Sequence, residues 1–387
     1  VSEVRSCDLA GRVRFDGKGN QVRQTTRNLL DRLPRSIRRT LSIAILKQMV
    51  STKLRTHYSN ELEATDIAVI GGGQLIADAE LNFPLNVYEA TQAARDIGAS
   101  VAVYGVGVGH SFSRRGQGLF EAAFGEDLVS VHVRDERSAK RWLERFGGNW
   151  VGHVWDPGLL SREVYDRPLR PREIKQRIGI GITHPATLDL HADRKSDRMR
   201  HKDWLAFYEQ LIDYFIARNW TVELFTNGAC SDQSFARKIF EQSRTTEGLS
   251  LADKPKTPKE LAHLISSYDT LIAHRLHASV VAYSYGIPHV GLGWDSKMEG
   301  FFEATQREKY LISSPCLSTI QHVGQIAIEA AATPIAHHQI ARVQDEVTRQ
   351  INDFAQDLLH HLRERAENSL ASSGQAASGR RLTEAQA

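Results

Sequence analysis

The sequence has little of what several common protein classes require. Its 387 residues include three cysteines, Cys7, Cys230 and Cys316, and none of them forms a C-x-x-C pair. Structural zinc sites and disulfide frameworks need clustered cysteines, so both are disfavoured, and a cytoplasmic location is expected. No apolar run approaches the roughly 18 residues that cross a membrane, and no signal-peptide pattern is visible.

Several catalytic and binding signatures are also missing. The chain has no H-E-x-x-H motif and no G-x-x-x-x-G-K-[ST] loop, which removes support for zinc hydrolysis and for ATP use of the P-loop kind. The pairs His337-His338 and His360-His361 are adjacent residues on a predicted helix and do not share a face, so we expect no metal site. A formal net charge of +3 is too small to indicate a nucleic-acid partner.

What is present is a repeated alternation of short apolar strands and helices, which predicts parallel sheets covered on both faces. The length predicts more than one domain. We expect an N-terminal Rossmann-like domain over 1–165, a second one over 166–332 with a cleft between them, a C-terminal helix over 333–367 and a disordered tail over 368–387. The chain begins with Val1 rather than Met, which leaves open whether its native start is missing.

The most informative segment runs from Tyr268 to Trp294 and is typical of a strand, a sharp turn, a helix and a second strand. Arg275 and His277 stand where the first strand gives way to the helix. Ligands of open α/β sheets bind at the carboxyl ends of strands, and a helix N-terminus there favours anions. A guanidinium pairs with phosphate or carboxylate, and an imidazole exchanges a proton near neutral pH. This pattern predicts a small anionic substrate and acid–base chemistry, although such residues also cap helices.

The N-terminal half has similar signals at three predicted strand ends. Glycines Gly71, Gly72 and Gly73 and then Gln74 follow a buried strand, the run Gly105–Gly109 ends at His110, and Arg134 follows Val129–Val133. Glycines let a backbone approach a ligand closely, but tight turns use them as often. The run before His110 departs from the dinucleotide fingerprint. The alternative for Arg134 is a surface arginine paired with Asp135 or Glu136.

A basic amphipathic segment covers residues 23–55, with nine Lys or Arg against one acid, Asp31. Such a segment can lie on an anionic membrane surface, and the alternative is a solvated outer helix. We therefore expect a cytoplasmic protein that could contact the inner membrane face peripherally.

Taken together, these motifs resemble the polysaccharide pyruvyl transferase family. The resemblance extends from about Asp66 to Leu311 and rests on Gly71-Gly-Gly-Gln-Leu75, Gly105–His110, Val133–Ser138 and the Arg275-Leu276-His277 block. It implies a GT-B-like fold and transfer of the carboxyvinyl unit of phosphoenolpyruvate onto two hydroxyls of a polysaccharide or glycolipid sugar, with release of phosphate. It implies no cofactor besides this donor substrate.

The resemblance also implies roles for individual residues. Arg134, Arg275 and Leu276 would bind the donor, His277 would bind it and carry the acid–base step, and His110 is the second catalytic candidate. Further candidates for lining the pocket are Gly71, Gly72, Gly73, Gln74, Lys297 and Glu299. The glycine turn with which family chains usually open is absent, which leaves the acceptor, a sugar that is often lipid-linked, less defined.

Two alternative functions remain open. One is a GT-B glycosyltransferase that uses a nucleotide sugar, but such enzymes often place glutamates at i and i+8, whereas Glu299, Glu303 and Glu308 are spaced by four, five and nine. The other is a non-catalytic protein of polysaccharide assembly that only binds anions. The acceptor sugar, the ketal stereochemistry and the oligomeric state do not follow from the sequence.

Overall fold

The computed structural model describes residues 54–78, 81–125, 128–148, 151–165, 176–191, 199, 201–293 and 296–384. The basic segment 23–55 therefore lies outside the described residues except for Leu54 and Arg55. Among the described helices, none combines the length and the apolar composition needed to cross a membrane.

The chain folds as two compact units. Unit 1 comprises the residues up to Asp156 together with those from Thr348 onward, and unit 2 comprises Pro157–Val347. The sequence pattern predicts this division at 165/166. The segment after Asp156 belongs with unit 2 because it packs there: the Tyr285 hydroxyl donates to the Ser161 carbonyl at 3.3 Å, and the Gln344 amide donates to the Leu159 carbonyl at 3.2 Å.

Unit 1 contains a four-stranded parallel sheet in the order β1-β2-β3-β4. The strands are β1 Ile67–Gly71, β2 Ser100–Val106, β3 Leu128–Val133 and β4 Gly152–His153. The helices are α1 Arg55–Glu61, α2 Asn82–Asp96, α3 Arg114–Ala123 and α4 Glu136–Phe146. Strand β2 is buried at six of its seven positions, as expected for the interior of a parallel sheet, which explains its nearly continuous apolar sequence.

Unit 2 contains a six-stranded parallel sheet in the order β10-β9-β8-β5-β6-β7. The strands are β5 Arg177–Gly181, β6 Thr221–Phe225, β7 Leu249–Leu251, β8 Thr270–Ala273, β9 His289–Leu292 and β10 Leu311–Ile312. The helices are α5 Ser161–Val164, α6 Pro185–His191, α7 His201–Ile216, α8 Cys230–Gln242, α9 Pro258–Ile265, α10 Leu276–Ser284, α11 Ser296–Ala304 and α12 Ile320–Ala332.

In unit 2 the chain adds strands first on one side of β5 and then on the other, while all strands stay parallel. Strands β5, β6 and β7 follow one another outward, and β8 then returns to pair with β5 on its other side, with Gly181 opposite Ala273. The carboxyl ends of β5 and β8 therefore flank a topological switch point, the place where open α/β sheets usually bind their ligands. The loop after β8 is the one that carries Arg275.

The last helix, α13, spans His337–Glu384 and contributes to both units. Ile340 of this helix is buried in unit 2, and the ring of its Phe354 lies 4.6 Å from the Tyr104 ring in unit 1. The apolar positions of α13 therefore pack on the two units, as the sequence predicts. The helix continues through 368–384, where the sequence predicts a disordered tail. Alanines and other residues of good helix propensity in this stretch are compatible with that extension.

Candidate functional site

In unit 1, the glycine residues after β1 form a turn that only glycine adopts easily. Gly72 and Gly73 have φ values of +81° and +64°, in the left-handed region. The Gly73 carbonyl accepts a hydrogen bond from the Gly107 amide at 2.8 Å, which ties the loop after β1 to the loop after β2. Gly71 and Gly72 are exposed, and Gln74 is half-buried. The turn thus presents open backbone at the carboxyl edge of the sheet.

Arg134 lies against the loop that follows β2. Its backbone amide donates to the Val106 carbonyl at 3.0 Å, and its side chain is only 8% exposed. A Cβ atom placed on Gly107 would lie 2.4 Å from Nη2 of Arg134, so the guanidinium occupies the space that a larger residue would need. Nε lies 3.5 Å from Oδ2 of Asp135, so the predicted pairing with Asp135 is present as well. Arg134 is therefore a largely buried arginine at the carboxyl end of β3 and not a freely solvated surface residue.

His110 ends the same loop and is exposed. Its carbonyl accepts a hydrogen bond from the guanidinium of Arg145. Two further contacts from helix α4 hold the loop: the Ser138 hydroxyl accepts from the Val108 amide at 3.0 Å, and Arg141 donates to the Val108 carbonyl at 2.9 Å. The backbone of this loop is thus well anchored while the imidazole of His110 faces solvent.

In unit 2, the Arg275-Leu276-His277 block lies at the switch point. Arg275 precedes the first residue of α10 in an extended conformation, with φ −79° and ψ 115°, and its own side chain makes no capping hydrogen bond to this helix. Leu276 is half-buried and His277 is exposed. A guanidinium and an imidazole therefore stand together at the start of a helix, beside the carboxyl end of β5.

Arg275 is paired with a carboxylate that the sequence motifs do not include. Its Nε and Nη2 donate to Oδ2 of Asp232 at 3.1 and 2.6 Å. Asp232 is fully buried, and its Oδ1 accepts from the backbone amide of His184 at 3.0 Å. Two features could have indicated it: Asp232 is an acid in the first turn of the helix that follows β6, and β6 neighbours β5. The two residues are 43 positions apart in the sequence, so no local motif indicates that they pair.

Beneath this pair lies a second histidine of the same motif, His274. It is fully buried, its Nδ1 lies 3.2 Å from the Tyr208 hydroxyl, and its ring meets the edge of Trp204 at 4.9 Å. Burial, assisted by the neighbouring charge of Arg275, lowers the pKa of His274 to about 3. Burial also raises the pKa of Tyr208. His274 is therefore neutral near pH 7 and supports the strand end, whereas the exposed His277 is accessible to a ligand.

This burial predicts a pH dependence of stability. His289, at the start of β9, is also fully buried, and burial lowers its pKa to about 3. The unfolded chain takes up a proton at each histidine as the pH falls below about 6.5, whereas the folded chain does so only near pH 3. The contribution of each neutral histidine to the free energy of unfolding is therefore complete above about pH 6.5 and is lost as the pH falls toward about 3. We expect the free energy of unfolding to drop by up to about 1.4 kcal/mol per pH unit for each histidine between about pH 6 and 5.

Urea unfolding at several pH values measures this dependence, with His322→Ala as a control because His322 is exposed. The His289→Asn variant should show a shallower slope than the wild type. A wild-type stability that stays flat from about pH 6.5 to 5 would contradict the prediction.

Lys297 and Glu299 lie in the first turn of α11, which follows β9, and both are half-buried. The structure thus brings the predicted residues together as two sets, each within its own unit. Gly71–Gln74, His110 and Arg134 share the carboxyl edge of β1–β3, while Arg275–His277 occupy the switch point. In the portion of the chain that the structure describes, no group of three or more His, Cys, Asp or Glu could hold a metal ion.

Comparison with known proteins agrees with this architecture. The sequence profile of the family described as polysaccharide pyruvyl transferase matches residues 15–296. A putative UDP-N-acetylglucosamine 2-epimerase from Listeria monocytogenes has a similar structure, with a TM-score of 0.55, 10% identity, and coverage of 82% of this chain and 81% of that one. The UDP complex of MnaA from S. aureus has a TM-score of 0.48 at 13% identity, covering 78% of this chain and 74% of that one. No curated protein sequence matches the chain. The fold is of the GT-B type, as the sequence predicts.

Proposed function

Because the chain belongs to the polysaccharide pyruvyl transferase family, we propose that it transfers the carboxyvinyl unit of phosphoenolpyruvate to a sugar. The product is a cyclic ketal that bridges two hydroxyls of a polysaccharide or glycolipid, and the second product is phosphate. The observation that carries the proposal is the position of Arg275 and His277 at the start of α10, next to the switch point of the unit 2 sheet.

The donor chemistry suits these residues. Phosphoenolpyruvate carries a phosphate and a carboxylate on three carbons, so its site needs several N–H donors and positive charge. Arg275 supplies a guanidinium, and the start of α10 supplies the positive end of the helix dipole. Arg134 is the second guanidinium that we propose for donor binding, as the family motifs imply.

The reaction requires two proton transfers. A proton is added to the methylene carbon of the donor while one sugar hydroxyl attacks C2, and the second hydroxyl then attacks C2 as the C–O bond to phosphate breaks. Of the two hydroxyl protons, one balances the new methyl group and the other leaves with phosphate. We assign the acid–base role to His277, whose imidazole is exposed at the strand end, and assign His110 to the phosphate. Lys297 and Glu299 are further candidates for lining the pocket.

The acceptor is proposed to be a sugar, which could be lipid-linked. In that case the basic segment 23–55 would dock on an anionic membrane surface. Flotation with anionic liposomes tests this hypothesis, and an absence of binding at low salt would remove it.

The experiment that tests the function is phosphate release from phosphoenolpyruvate in the presence of a panel of galactosides, glucosides and mannosides. Release that depends on one class of sugar, with a product heavier by one carboxyethylidene group, supports the proposal. Thermal shift separates the alternatives: stabilisation by UDP or GDP but not by phosphoenolpyruvate would favour a nucleotide-sugar enzyme. Stabilisation by phosphoenolpyruvate without any turnover on the panel would favour a non-catalytic anion-binding protein.

A further inference from the structure

A buried carboxylate controls the geometry of Arg275. Asp232 lies in the first turn of α8 and is fully buried. One oxygen accepts from Nε and Nη2 of Arg275, at 3.1 and 2.6 Å, and the other accepts from the backbone amide of His184 at 3.0 Å. Asp232 therefore links three strand ends, because His184 follows β5, Asp232 follows β6 and Arg275 follows β8.

The pairing uses one side of the guanidinium. Within the described part of the chain, Nη1 of Arg275 makes no hydrogen bond, and the side chain is 28% exposed. An arginine has five N–H donors in a fixed planar fork, so fixing Nε and Nη2 also fixes the direction of Nη1. A flexible arginine loses rotamer entropy when it binds an anion, and one that is already held does not.

The same pairing places a negative charge beside the proposed anion site. By Coulomb's law alone, a carboxylate this close to Arg275 weakens the attraction of the site for an anionic ligand. Two opposite effects of Asp232 on donor binding are therefore expected: it orders the fork, and it offsets the positive charge. The sign of the effect on affinity when the charge is removed distinguishes them.

We propose that Asp232 is a positioning residue of the donor site, which acts by holding Arg275 with Nη1 directed at the ligand. This inference rests on the proposed function, because it assigns Arg275 to the phosphoenolpyruvate site. Asp232 does not touch the donor itself, and its contribution is the ordered guanidinium. In this assignment the ordering outweighs the Coulomb cost, since a misdirected guanidinium loses its hydrogen bonds to the anion.

The test is the affinity of Asp232→Asn for phosphoenolpyruvate, measured by calorimetry on the full chain. Asparagine has nearly the same shape but a single oxygen, which can take the place of Oδ1 or of Oδ2 but not of both, so either Arg275 or the His184 amide loses its acceptor. We expect the dissociation constant to rise by about tenfold or more, although the site has lost a negative charge. An unchanged or tighter affinity in a variant that unfolds cooperatively overturns the proposal.

A matched control is Glu223→Gln. Glu223 belongs to the same sheet and pairs with Arg177 at 2.7 Å, but Arg177 is the first residue of β5 and so lies at the opposite edge. This variant should leave phosphoenolpyruvate binding unchanged. If Glu223→Gln lost as much affinity for phosphoenolpyruvate as Asp232→Asn, any broken ion pair in the sheet would have this effect. That result would overturn a specific role of Asp232.

A double-mutant cycle shows whether Asp232 acts through Arg275. In an Arg275→Ala background, Asp232→Asn should have no further effect on affinity, because the group that it positions is gone. Additive losses would contradict the inference. If Asp232→Asn does not fold, Asp232→Glu is the substitute: it keeps the charge and both acceptors but moves the fork by one methylene, and it should weaken binding about fivefold or more.

Titration of the wild type distinguishes a wrong positioning role of Asp232 from a wrong proposed function. The wild type is titrated first with phosphoenolpyruvate and with UDP. Binding of UDP alone rejects phosphoenolpyruvate as the donor, and the same variants are then titrated with UDP, where a loss at Asp232→Asn but not at Glu223→Gln supports the positioning role. A wild type that binds neither compound overturns both proposals.

Discussion

Replacement of His277 by alanine should reduce kcat for ketal formation by about 10²–10⁴-fold, the usual contribution of a general acid or base. His277 is exposed at the second position of α10, so its removal should leave the fold and the melting temperature nearly unchanged. Because the guanidinium of Arg275 remains, affinity for phosphoenolpyruvate should fall by less than about tenfold. Steady-state phosphate release and calorimetry on the same preparation measure the two effects separately.

The matched control is His322→Ala, since His322 is an exposed histidine in α12 of the same unit. This variant should retain wild-type kcat. The contrast with His110 is also informative, because we assign His110 to the phosphate and expect His110→Ala to raise KM more than it lowers kcat. If His277→Ala kept full ketal-forming activity, the assignment of the acid–base role would be falsified.

Substitution of Gly107 by alanine should raise KM for phosphoenolpyruvate by about tenfold or more through displacement of Arg134. The added Cβ would lie 2.4 Å from Nη2 of Arg134, a separation that real Cβ atoms do not reach, so the guanidinium must move. The backbone does not oppose the change, because Gly107 is not among the glycines with positive φ. The variant thus shifts one charged group without removing it.

Gly118→Ala is the control for this prediction. Gly118 lies within α3, and a Cβ there meets no atom within 4 Å. Alanine at that position should leave KM unchanged and raise the free energy of unfolding by about 0.5–1 kcal/mol, the usual gain in a helix interior. If Gly107→Ala bound phosphoenolpyruvate as tightly as Gly118→Ala, Arg134 would have no part in donor binding. In an Arg134→Ala background, Gly107→Ala should have no further effect on KM.

Much of the fold was readable from the sequence because it is encoded locally. Apolar runs such as β2 and β8, separated by amphipathic helices, predict parallel strands whatever the rest of the chain does. Strand ends were equally visible, so Arg134 and Arg275 were predicted at carboxyl ends and are found there. The family also follows from ordered motifs along the chain, and the profile match confirms it.

The partners of these residues were not predictable in the same way. Asp232 meets Arg275 because β5 lies between β6 and β8, and a strand order is a property of the sheet that no local pattern contains. The approach of Arg134 to Gly107 likewise needs β2 and β3 side by side. Burial also distinguishes two histidines that the sequence does not separate. His274 and His277 are three positions apart, yet His274 is buried and His277 is exposed.

The sequence by itself determined the family, the parallel α/β layers and which residues stand at strand ends, since periodicity and turn chemistry act over a few residues. Only the tertiary structure decided that helix α13 is shared by both units, that the division falls at Asp156, and that a buried carboxylate holds Arg275. These depend on packing between segments far apart in the chain, where the free energy of burial and ion pairing selects the neighbours.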